Sequence, residues 1–395
     1  MHCSKVETKS GSKWVCIADG PADPVTGKRN QISRRGKTKK EAMQRVQDQI
    51  DKLTEHGLLN KQKQKITFDK FAEEWLKTYA SSGVKISTVR TRSKEIKNLN
   101  KYMAKVSIDK VTPKMYQNVL NSLHTKDKFN DSTIEGIHSV ASMIFKQAVI
   151  WEIIKSSPAQ FVKLPKKQVT VEELEKQTDP IGQKYLEKHE LKEFLRATLE
   201  YGLENDKEAL YILAFTGMRV GELCALKWDD IYFDLNEIKI TKTLYNPDNN
   251  MKKYSLLTPK TTTSVRRIKI DQFLADMLRR HKARQNEVKM LNRIDYHGNF
   301  IFANSSGYPY IPKKINLRIQ RILKNTSISK KVTPHTLRHT HISMLTEAEI
   351  DIKTIMERVG HKDMRTTMEI YTHVTEKMKK TASDKLKKYM EDIIL

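Results

Sequence analysis

The 395-residue sequence lacks the features that mark several common classes of protein. No apolar run approaches the roughly 20 residues that a helix needs to span a bilayer, so we expect no membrane association. The first residues, MHCSKVETKSGSK, contain no signal-peptide core. The three cysteines, Cys3, Cys16 and Cys224, are odd in number and show no metal spacing, which indicates a reducing cytoplasm and no zinc site.

Acidic residues are also scarce relative to basic ones. Lys plus Arg number 73 against 47 for Asp plus Glu, which gives a formal net charge of +26. The excess is +8 in residues 1–65, +7 in residues 66–165 and +11 in residues 166–395. A charge this large and this evenly spread predicts a long polyanionic partner, whereas a basic tail on a neutral enzyme would be confined to one end.

The first segment covers residues 1–60 and is predicted to be a small sheet with one helix. Trp14–Ala18 alternates like a strand, and the turn-rich stretch DGPADPVTGK separates it from a possible second strand. Thr38 and Glu41 form a capping box before a helix that runs to about Leu53. Basic residues cluster on this module, and the overall charge favours DNA contact over a merely solvated face. They are Arg29, Arg34, Arg35, Lys37, Lys39 and Lys40.

Residues 66–165 are predicted to be entirely helical, because apolar residues recur at helical spacing, as in FDKFAEEWLKTYA. Thr112 is followed by a proline, a pair typical of a helix start. Ser132 and Glu135 form a second capping box, and we expect the helix that follows to end near Pro158. The stretch KLPKKQVTVEELEKQTD then reads as a polar linker.

The third segment, residues 175–395, mixes helices with a few strands. KEALYILAFTGMRVGELCALKWDDI indicates two helices broken at Thr216-Gly217, and EIKITKT and SVRRIKI read as strands, with LLTPKTTT turning before the second. The chain as a whole is therefore predicted to be a multidomain α+β protein. Its last domain is mainly helical with mixed α/β character.

Two short stretches of this segment could bind an anion. TGMRVGEL places Arg219 at the start of a helix and Glu222 one turn later on the same face, so that the carboxylate can fix the guanidinium. Alone, such a pair is more typical of a surface ion pair. TPHTLRHTH places His335 and Arg338 on one helix face, where both can donate hydrogen bonds to one phosphate. Alone, this stretch would be better interpreted as a solvated basic turn.

Three further stretches contain residues that could be either structural or functional. His339 and His341 could suggest a metal, but carboxylate or cysteine partners are missing at metal spacing. Lys260 lies in a turn before a strand, where a lysine is usually inert but can also reach a cleft and give up a proton. MERVGHKDMRTTMEIYTHV contains His361 and, ten residues later, Tyr371, which is either a core tyrosine or a nucleophile.

The set as a whole is rich in cationic hydrogen-bond donors and poor in metal ligands, which suits phosphodiester chemistry. Guanidinium groups can stabilise the negative charge that gathers on the non-bridging oxygens of the transition state. A tyrosine with an ordinary pKa near ~10 needs help to lose its proton, and neighbouring cations supply that help.

The boxes TGMRVGELCALKWDDI, TPHTLRHTH and VGHKDMRTTMEIYTHV, together with the hairpin lysine, resemble those of the tyrosine recombinase (phage integrase) family over about residues 180–385. The resemblance implies a catalytic set with Tyr371 as nucleophile and Glu222 in support. That set is Arg219, Lys260, His335, Arg338, His361 and Tyr371. It also implies a helical, SAM-like core-binding domain at 66–165 and an arm-binding domain with a three-stranded sheet at 1–60, as in integrases of prophages and conjugative transposons.

The resemblance further implies a site-specific recombinase that integrates and excises a mobile element through a 3′-phosphotyrosine, without metal or other cofactor. Its implied partners are core-type and arm-type DNA sites, three further copies in a homotetramer on two duplexes, and an excisionase or host DNA-bending protein. We expect it in the cytoplasm, on the nucleoid. Two alternatives stay open, a type IB topoisomerase-like relaxing enzyme and a catalytically idle DNA-binding regulator. The complete catalytic set disfavours the regulator, and the N-terminal module favours an integrase over a relaxing enzyme.

The end of the chain is predicted to form a final amphipathic helix. Ser383 can cap a final helix, on which Leu386, Met390, Ile393 and Ile394 fall close to one face. This face either packs on its own domain or docks on an adjacent protomer.

Overall fold

The computed structural model describes residues 1–8, 11–22, 29–55, 66–167, 170–171, 179–259, 264–292, 297–361 and 364–394. The chain divides into two compact units, Met1–Gln168 and Val169–Leu395. Within the described ranges, no helix combines the length and the apolar character that crossing a bilayer requires. The predicted fold class is confirmed, with a small sheet module, a helical domain and a mixed domain in this order.

The N-terminal module is a three-stranded antiparallel sheet covered by one helix. Its strands are β1 (His2–Thr8), β2 (Gly11–Ala22) and β3 (Arg29–Gly36), hydrogen-bonded in this order. Helix α1 (Lys39–Glu55) begins as predicted, because the Glu41 amide donates to Thr38 Oγ1 at 3.2 Å. A small core joins sheet and helix. It consists of Cys16, Ile32, Ala42 and Val46.

A disulfide links two of the three cysteines, which the sequence did not predict. Cys3 lies opposite Cys16 in the β1–β2 register, with 4.1 Å between their Cα atoms. The pairing depends on strand register, which spacing along the chain does not reveal. Cys224 is a free, buried thiol, and its burial raises its pKa.

The helical domain consists of α2 (Phe68–Ser81), α3 (Ile86–Met103), α4 (Pro113–Thr125) and α5 (Asp131–Ile150). Its aromatic and aliphatic core is separate from that of the sheet module. The predicted start of α4 is confirmed, because Thr112 Oγ1 accepts a hydrogen bond from the Met115 amide at 3.2 Å.

The predicted ends of α5 are wrong at both termini. Asn130, and not Ser132, caps the helix, because its Oδ1 accepts from the Thr133 amide at 2.9 Å. Asparagine is at least as good an N-cap as serine, and here it comes first. The helix ends at Ile150, well before Pro158, because Glu152 adopts a left-handed conformation with φ 57°.

The second unit contains eight helices and two small antiparallel sheets among its described residues. The helices are α6 (Lys188–Tyr201), α7 (Asp206–Thr216), α8 (Val220–Ala225), α9 (Gln272–Asn292), α10 (Pro312–Leu323), α11 (Pro334–Glu347), α12 (Ile352–Val359) and α13 (Arg365–Ile394). The strands are β4 (Ile231–Tyr232), β5 (Glu237–Ile240), β6 (Thr243–Tyr245), β7 (Ser255–Leu257) and β8 (Arg266–Lys269). They are hydrogen-bonded in the orders β4-β5-β8 and β6-β7.

The break between α7 and α8 is confirmed, because Gly217 ends α7 in a left-handed conformation with φ 61°. The strands predicted in EIKITKT and SVRRIKI are β5 and β8. The leucines that open LLTPKTTT belong to strand β7, although the sequence predicted a turn for the whole stretch. They pair with β6 in a hairpin that the sequence did not predict.

The C-terminal tail does not form a separate helix. Helix α13 runs without interruption from Arg365 to Ile394, so Ser383 lies in its interior and the predicted cap is wrong. Leu386 and Met390 are 59% and 52% exposed, so these two do not pack on their own domain. The side chains of Ile393 and Ile394 lie outside the described part of the structure.

Candidate active site

Arg219 lies at the N-cap of α8, immediately beyond the break at Gly217. Its Nη1 donates to Glu222 Oε1 at 3.0 Å, and its Nη2 donates to the carbonyl of Gly360 at 3.0 Å. The side chain remains 35% exposed, so the guanidinium is held from behind while one side is open to an incoming anion. The helix-start position and the carboxylate one turn away are as the sequence predicted.

Glu222 holds a second arginine as well. Its Oε2 accepts from Arg266 Nη2 at 2.9 Å and from the Arg219 amide at 3.0 Å. Burial of the carboxyl acts to raise its pKa, but the hydrogen bond and charge of Arg266, together with Arg219, outweigh it and lower that pKa. Glu222 is therefore an anion that orients two cations.

Arg338 is the most deeply placed cation of the site, with 1% exposure. Its Nη1 and Nη2 each donate at 2.7 Å to backbone carbonyls, those of Gly217 and Val359. Its Nε donates to His361 Nε2 at 3.2 Å. Burial and the nearby charge of Arg219 lower the pKa of Arg338 to about 9, so it stays charged at neutral pH. The interpretation of this stretch as a solvated turn is wrong.

The contacts of His361 determine its tautomer. Because the Arg338 Nε can only donate, His361 Nε2 must accept, and the ring proton lies on Nδ1. That proton is donated to the fully buried Thr367 Oγ1, at 2.6 Å. Burial and the charges of Arg338 and Arg219 lower the pKa of His361 to about 3. The ring is therefore neutral at physiological pH.

His335 lies in the first turn of α11, which starts at Pro334 as predicted. Partial desolvation of its ring and the charges of Arg338 and Arg219 lower its pKa, although the residue remains exposed. The ring also contacts His339 edge-on, with 5.8 Å between the centroids. His335 therefore lies within electrostatic range of the two arginines.

His341 takes no part in the open side of the site. Its Nε2 accepts from Arg358 Nε at 3.0 Å, so its Nδ1 donates to the Ala214 carbonyl at 3.1 Å. Both ring nitrogens are thus engaged by the protein. Neither ring nitrogen of His341 therefore has a lone pair left for a metal in this arrangement.

The remaining two candidates differ in position. Tyr371 lies in the second turn of α13, where its ring packs against an apolar cluster that includes Ile342, Val359 and Ile370. Its hydroxyl makes no hydrogen bond to any residue that the structure describes. Lys260 lies outside the described residues. The structure therefore brings together Arg219, Glu222, His335, Arg338 and His361, but it does not join the tyrosine hydroxyl to them.

Among the described residues, the cluster has more positive than negative charge. Arg219, Arg266 and Arg338 face one carboxylate, that of Glu222, and His361 is neutral. Charge-assisted, oriented N–H groups of this kind bind phosphate strongly and need no rearrangement when charge develops.

Comparison with known proteins gives the family. The phage integrase family matches residues 184–378, and the phage integrase N-terminal SAM-like domain matches residues 67–124. A probable integrase of prophage ps2 from Lactococcus lactis is 32% identical over 378 residues, covering 93% of this chain and 95% of that protein. This chain belongs to the phage integrase family. It is a tyrosine recombinase, an enzyme that transfers DNA strands between specific sites.

Solved structures share the recombinase fold. The Tn1549 transposon integrase in complex with circular intermediate DNA matches with a TM-score of 0.63 and 21% identity, over 81% of this chain and 99% of that one. A lambda integrase tetramer bound to a Holliday junction matches with a TM-score of 0.55 and 18% identity, over 91% and 95% of the two chains. The predicted family and fold are thereby confirmed.

The sequence reasoning missed Arg266, which donates to Glu222 and to the Arg358 carbonyl. A signal for it was present. In SVRRIKI, alternation along strand β8 puts Arg266 on the same face as Ile268, which is buried. Arg267, on the other face, is half exposed and pairs with Glu237.

The structure also separates the basic residues of the N-terminal module, all six of which are exposed. Arg34 shares a face of β3 with the buried Ile32 and donates to Gln49 of α1 at 2.8 Å. Alternation places Arg29 and Arg35 on the opposite face, away from α1. Lys37, Lys39 and Lys40 lie around the start of the helix.

Gly217 provides a first test of the site. A Cβ there would lie 2.7 Å from His341 Cδ2, whereas Gly83, with a similar φ of 78°, has nothing within 4 Å. Gly83→Ala should lower the free energy of unfolding only by the cost of a left-handed backbone at a non-glycine residue, ~1–2 kcal/mol. Gly217→Ala should destabilise the second unit by more than this. DNA strand cleavage should also fall, because the Gly217 carbonyl that accepts from Arg338 would move. Thermal unfolding and cleavage assays measure both. If both variants lost the same stability and Gly217→Ala still cleaved DNA normally, Gly217 would not be needed to position Arg338.

The neutral state of His361 provides a second test. With a folded pKa of about 3 against an ordinary 6.5, the ring is neutral at about pH 5, where the unfolded chain binds a proton. The free energy of unfolding should therefore fall as the pH drops from 6.5 toward 3, by up to ~1.4 kcal/mol per pH unit for this group. NMR titration of the His361 ring, assigned by a His361→Gln variant, should show no change down to about pH 5. A midpoint near 6.5 would refute the assignment.

Proposed function

We propose that this recombinase cuts and rejoins DNA with Tyr371 as nucleophile, in a phosphate site formed by Arg219, His335, Arg338 and His361. The observation that carries the proposal is the set of guanidinium groups held by Glu222 and by backbone carbonyls, with donor positions left for an anion. A static cluster of this kind, which faces no free carboxylate among the described residues, favours phosphodiester transfer.

The proposed reaction proceeds in two balanced steps. The Tyr371 oxygen forms a bond to the scissile phosphorus, and the bond to the 5′ oxygen breaks, leaving a 3′-phosphotyrosine and a 5′ hydroxyl. Tyr371 gives its proton to solvent as it attacks, and Lys260 gives a proton to the leaving 5′ oxygen and is left neutral. In the second step the 5′ hydroxyl of a partner strand attacks the phosphotyrosine, its proton passes to the neutral Lys260, and the departing tyrosine oxygen takes up a proton from solvent. Because the phosphotyrosine conserves the bond energy, no nucleotide is consumed.

Tyr371→Phe tests the nucleophile, because the change removes only the hydroxyl. The substrate is a nicked duplex copied from the junction between the element that carries this gene and the flanking chromosome, called the nicked junction duplex below. Wild type and the matched control Tyr201→Phe, an exposed tyrosine in the same unit, should form a covalent adduct on denaturing gels. Tyr371→Phe should bind the duplex equally well and form none. An adduct of equal yield from Tyr371→Phe would exclude this residue.

The proposed partners are core-type DNA for the domain at residues 66–165 and three further copies of the chain on two duplexes. The lambda integrase tetramer on a Holliday junction supports such an assembly, since it shares this fold. The exposed Leu386 and Met390 lie one turn apart on an apolar face of α13, and we assign this face to an adjacent protomer. An excisionase or a host DNA-bending protein completes the proposed set, in the cytoplasm and on the nucleoid.

We assign residues 1–60 to arm-type DNA. The sheet face opposite α1 carries Arg29 and Arg35, and helix α1 covers the other face. A basic, uncovered sheet face of this kind can lie along a DNA groove. Arg34 is held on the helix side by Gln49, so it is a poorer candidate for contact with DNA.

Arg34 and Arg35 form a matched pair for testing this face. Arg35→Ala should weaken binding of the full-length protein to arm-type DNA and reduce the salt dependence of binding by ~1 unit of slope, as loss of one phosphate contact does. Arg34→Ala removes the same charge from the other face and should have a smaller effect. Fluorescence anisotropy over a salt series measures both. Equal losses would show that only net charge matters, and the assignment of the face would be wrong.

A further inference from the structure

The C-terminal end of α12 leaves three backbone carbonyls for donors outside the helix. The helix ends at Val359, and Gly360 follows in a left-handed conformation with φ 71°. In this turn the Gly360 amide donates to the carbonyls of Met356 and Glu357, at 2.8 Å and 3.2 Å. The last carbonyls of a helix have no partner within it, so those that the turn does not satisfy need donors from elsewhere. These are the carbonyls of residues 358–360, called the carbonyl anchor below.

The carbonyl anchor accepts hydrogen bonds from three arginines on three different elements. Arg266 comes from β8, Arg338 from α11 and Arg219 from the start of α8. Their donor nitrogens lie 2.8 Å, 2.7 Å and 3.0 Å from the three carbonyl oxygens, in chain order. The C-terminal end of a helix also carries partial negative charge, which favours cations there. The anchor therefore fixes the relative positions of three guanidinium groups.

The carbonyl anchor also determines where His361 lies. This residue directly follows Gly360, and its amide donates to the Met356 carbonyl at 3.1 Å. Its ring accepts from Arg338, which also donates to the middle carbonyl of the anchor. The distance between the histidine and the arginines of the phosphate site thus depends on this one helix end.

Arg266 differs from the other two arginines because its donors are occupied by the protein. Its side chain is 6% exposed, and its Nη1 and Nη2 donate to the two carboxylate oxygens of Glu222 at 3.3 Å and 2.9 Å. Nη1 also donates to the Ser264 carbonyl at 3.1 Å. A Cβ on Gly360 would lie 3.0 Å from this nitrogen, so the guanidinium packs closely on the anchor. Arg266 can therefore influence a bound phosphate only through other groups.

The contact between β8 and α12 is reciprocal. The Arg358 carbonyl accepts from Arg266 of the strand, and the Arg358 side chain donates from its Nη1 to the Lys269 carbonyl at 3.0 Å. The Arg358 Nε also donates to His341 of α11. Two arginine–carbonyl hydrogen bonds in opposite directions thus join the strand to the helix end.

We propose that Arg266 is a positioning residue for DNA strand transfer, which holds Glu222 and the carbonyl anchor so that Arg219 and His361 keep one geometry around the phosphate. The proposal rests on the proposed function of this site. Glu222 has one negative charge and pairs with two arginines. Because Arg266 shares that carboxylate, Arg219 retains positive charge for an anion. Without Arg266, Glu222 would pair with Arg219 alone, and the first carbonyl of the anchor would lose this donor.

Three variants separate this role from net charge and from stability. Arg266→Met removes the guanidinium, and Arg266→Lys keeps the charge but loses the planar fork that spans the carboxylate. Arg267→Met is the matched control, because it removes the same charge from the next residue of β8, which is 50% exposed and pairs with Glu237. DNA affinity and the single-turnover rate of adduct formation are measured on the nicked junction duplex. The temperature is one at which circular dichroism shows each variant to be folded.

Arg266→Met should form the covalent adduct ~10-fold or more slowly than wild type at nearly unchanged DNA affinity, whereas loss of a direct donor typically costs ~100-fold or more. Arg266→Lys should also be slow, and Arg267→Met should match wild type. NMR signals of the His361 ring should shift in both Arg266 variants and not in the control. If Arg266→Met does not fold, the rate of Arg266→Lys decides the question.

A wild-type rate in a folded Arg266→Met would overturn the proposal, because Arg266 would then be only structural. Full activity of Arg266→Lys would overturn it as well, since charge alone would suffice. An equal fall in Arg267→Met would show that any lost cation has this effect and would also contradict the proposal. Failure of wild type to form an adduct would instead refute the proposed function of the site.

Discussion

The catalytic unit depends on one constraint, the burial of the Arg338 guanidinium. Removing a cation from water is strongly unfavourable unless its N–H groups find acceptors, and here the acceptors are two backbone carbonyls and an imidazole. The two carbonyls belong to the ends of α7 and α12, where helices leave carbonyl groups without partners. The cation and the helix ends thus satisfy each other, and the ends of both helices are fixed relative to α11.

The same constraint determines the electrostatics of its neighbours. His361 accepts from Arg338 and lies among positive charges, so it is neutral and its proton is on Nδ1. Arg219 and Arg266 lie near the same charge, and the single carboxylate of Glu222 keeps them in place. A net positive charge remains on these described residues. A phosphate that binds there removes repulsion as well as adding hydrogen bonds, so substrate binding and stability of the site are coupled.

Local patterns in the sequence predicted much of this arrangement. The helix break at Gly217, the start of α11 at Pro334 and the pairing of Arg219 with Glu222 all depend on neighbours within one turn, and each is confirmed. Features that depend on distant segments were missed. Arg266 contacts Glu222 from a distant strand, and Cys3 pairs with Cys16 because of the strand register. The acceptors of Arg338 are backbone carbonyls, which a pattern of side chains does not reveal. The errors at α5 and Ser383 have another origin, because capping residues occur both at helix starts and within helices.

Helix α13 contains no glycine or proline from Arg365 to Ile394, so it has no built-in hinge between the tyrosine and the exposed apolar face. At a rise of ~1.5 Å per residue, Met390 is about 28 Å along the axis from Tyr371. The helix is therefore one continuous rod whose N-terminal part carries Tyr371. A twist applied at the far end reaches the hydroxyl as rotation, and a small swing near the tyrosine corresponds to a large sweep at the tip.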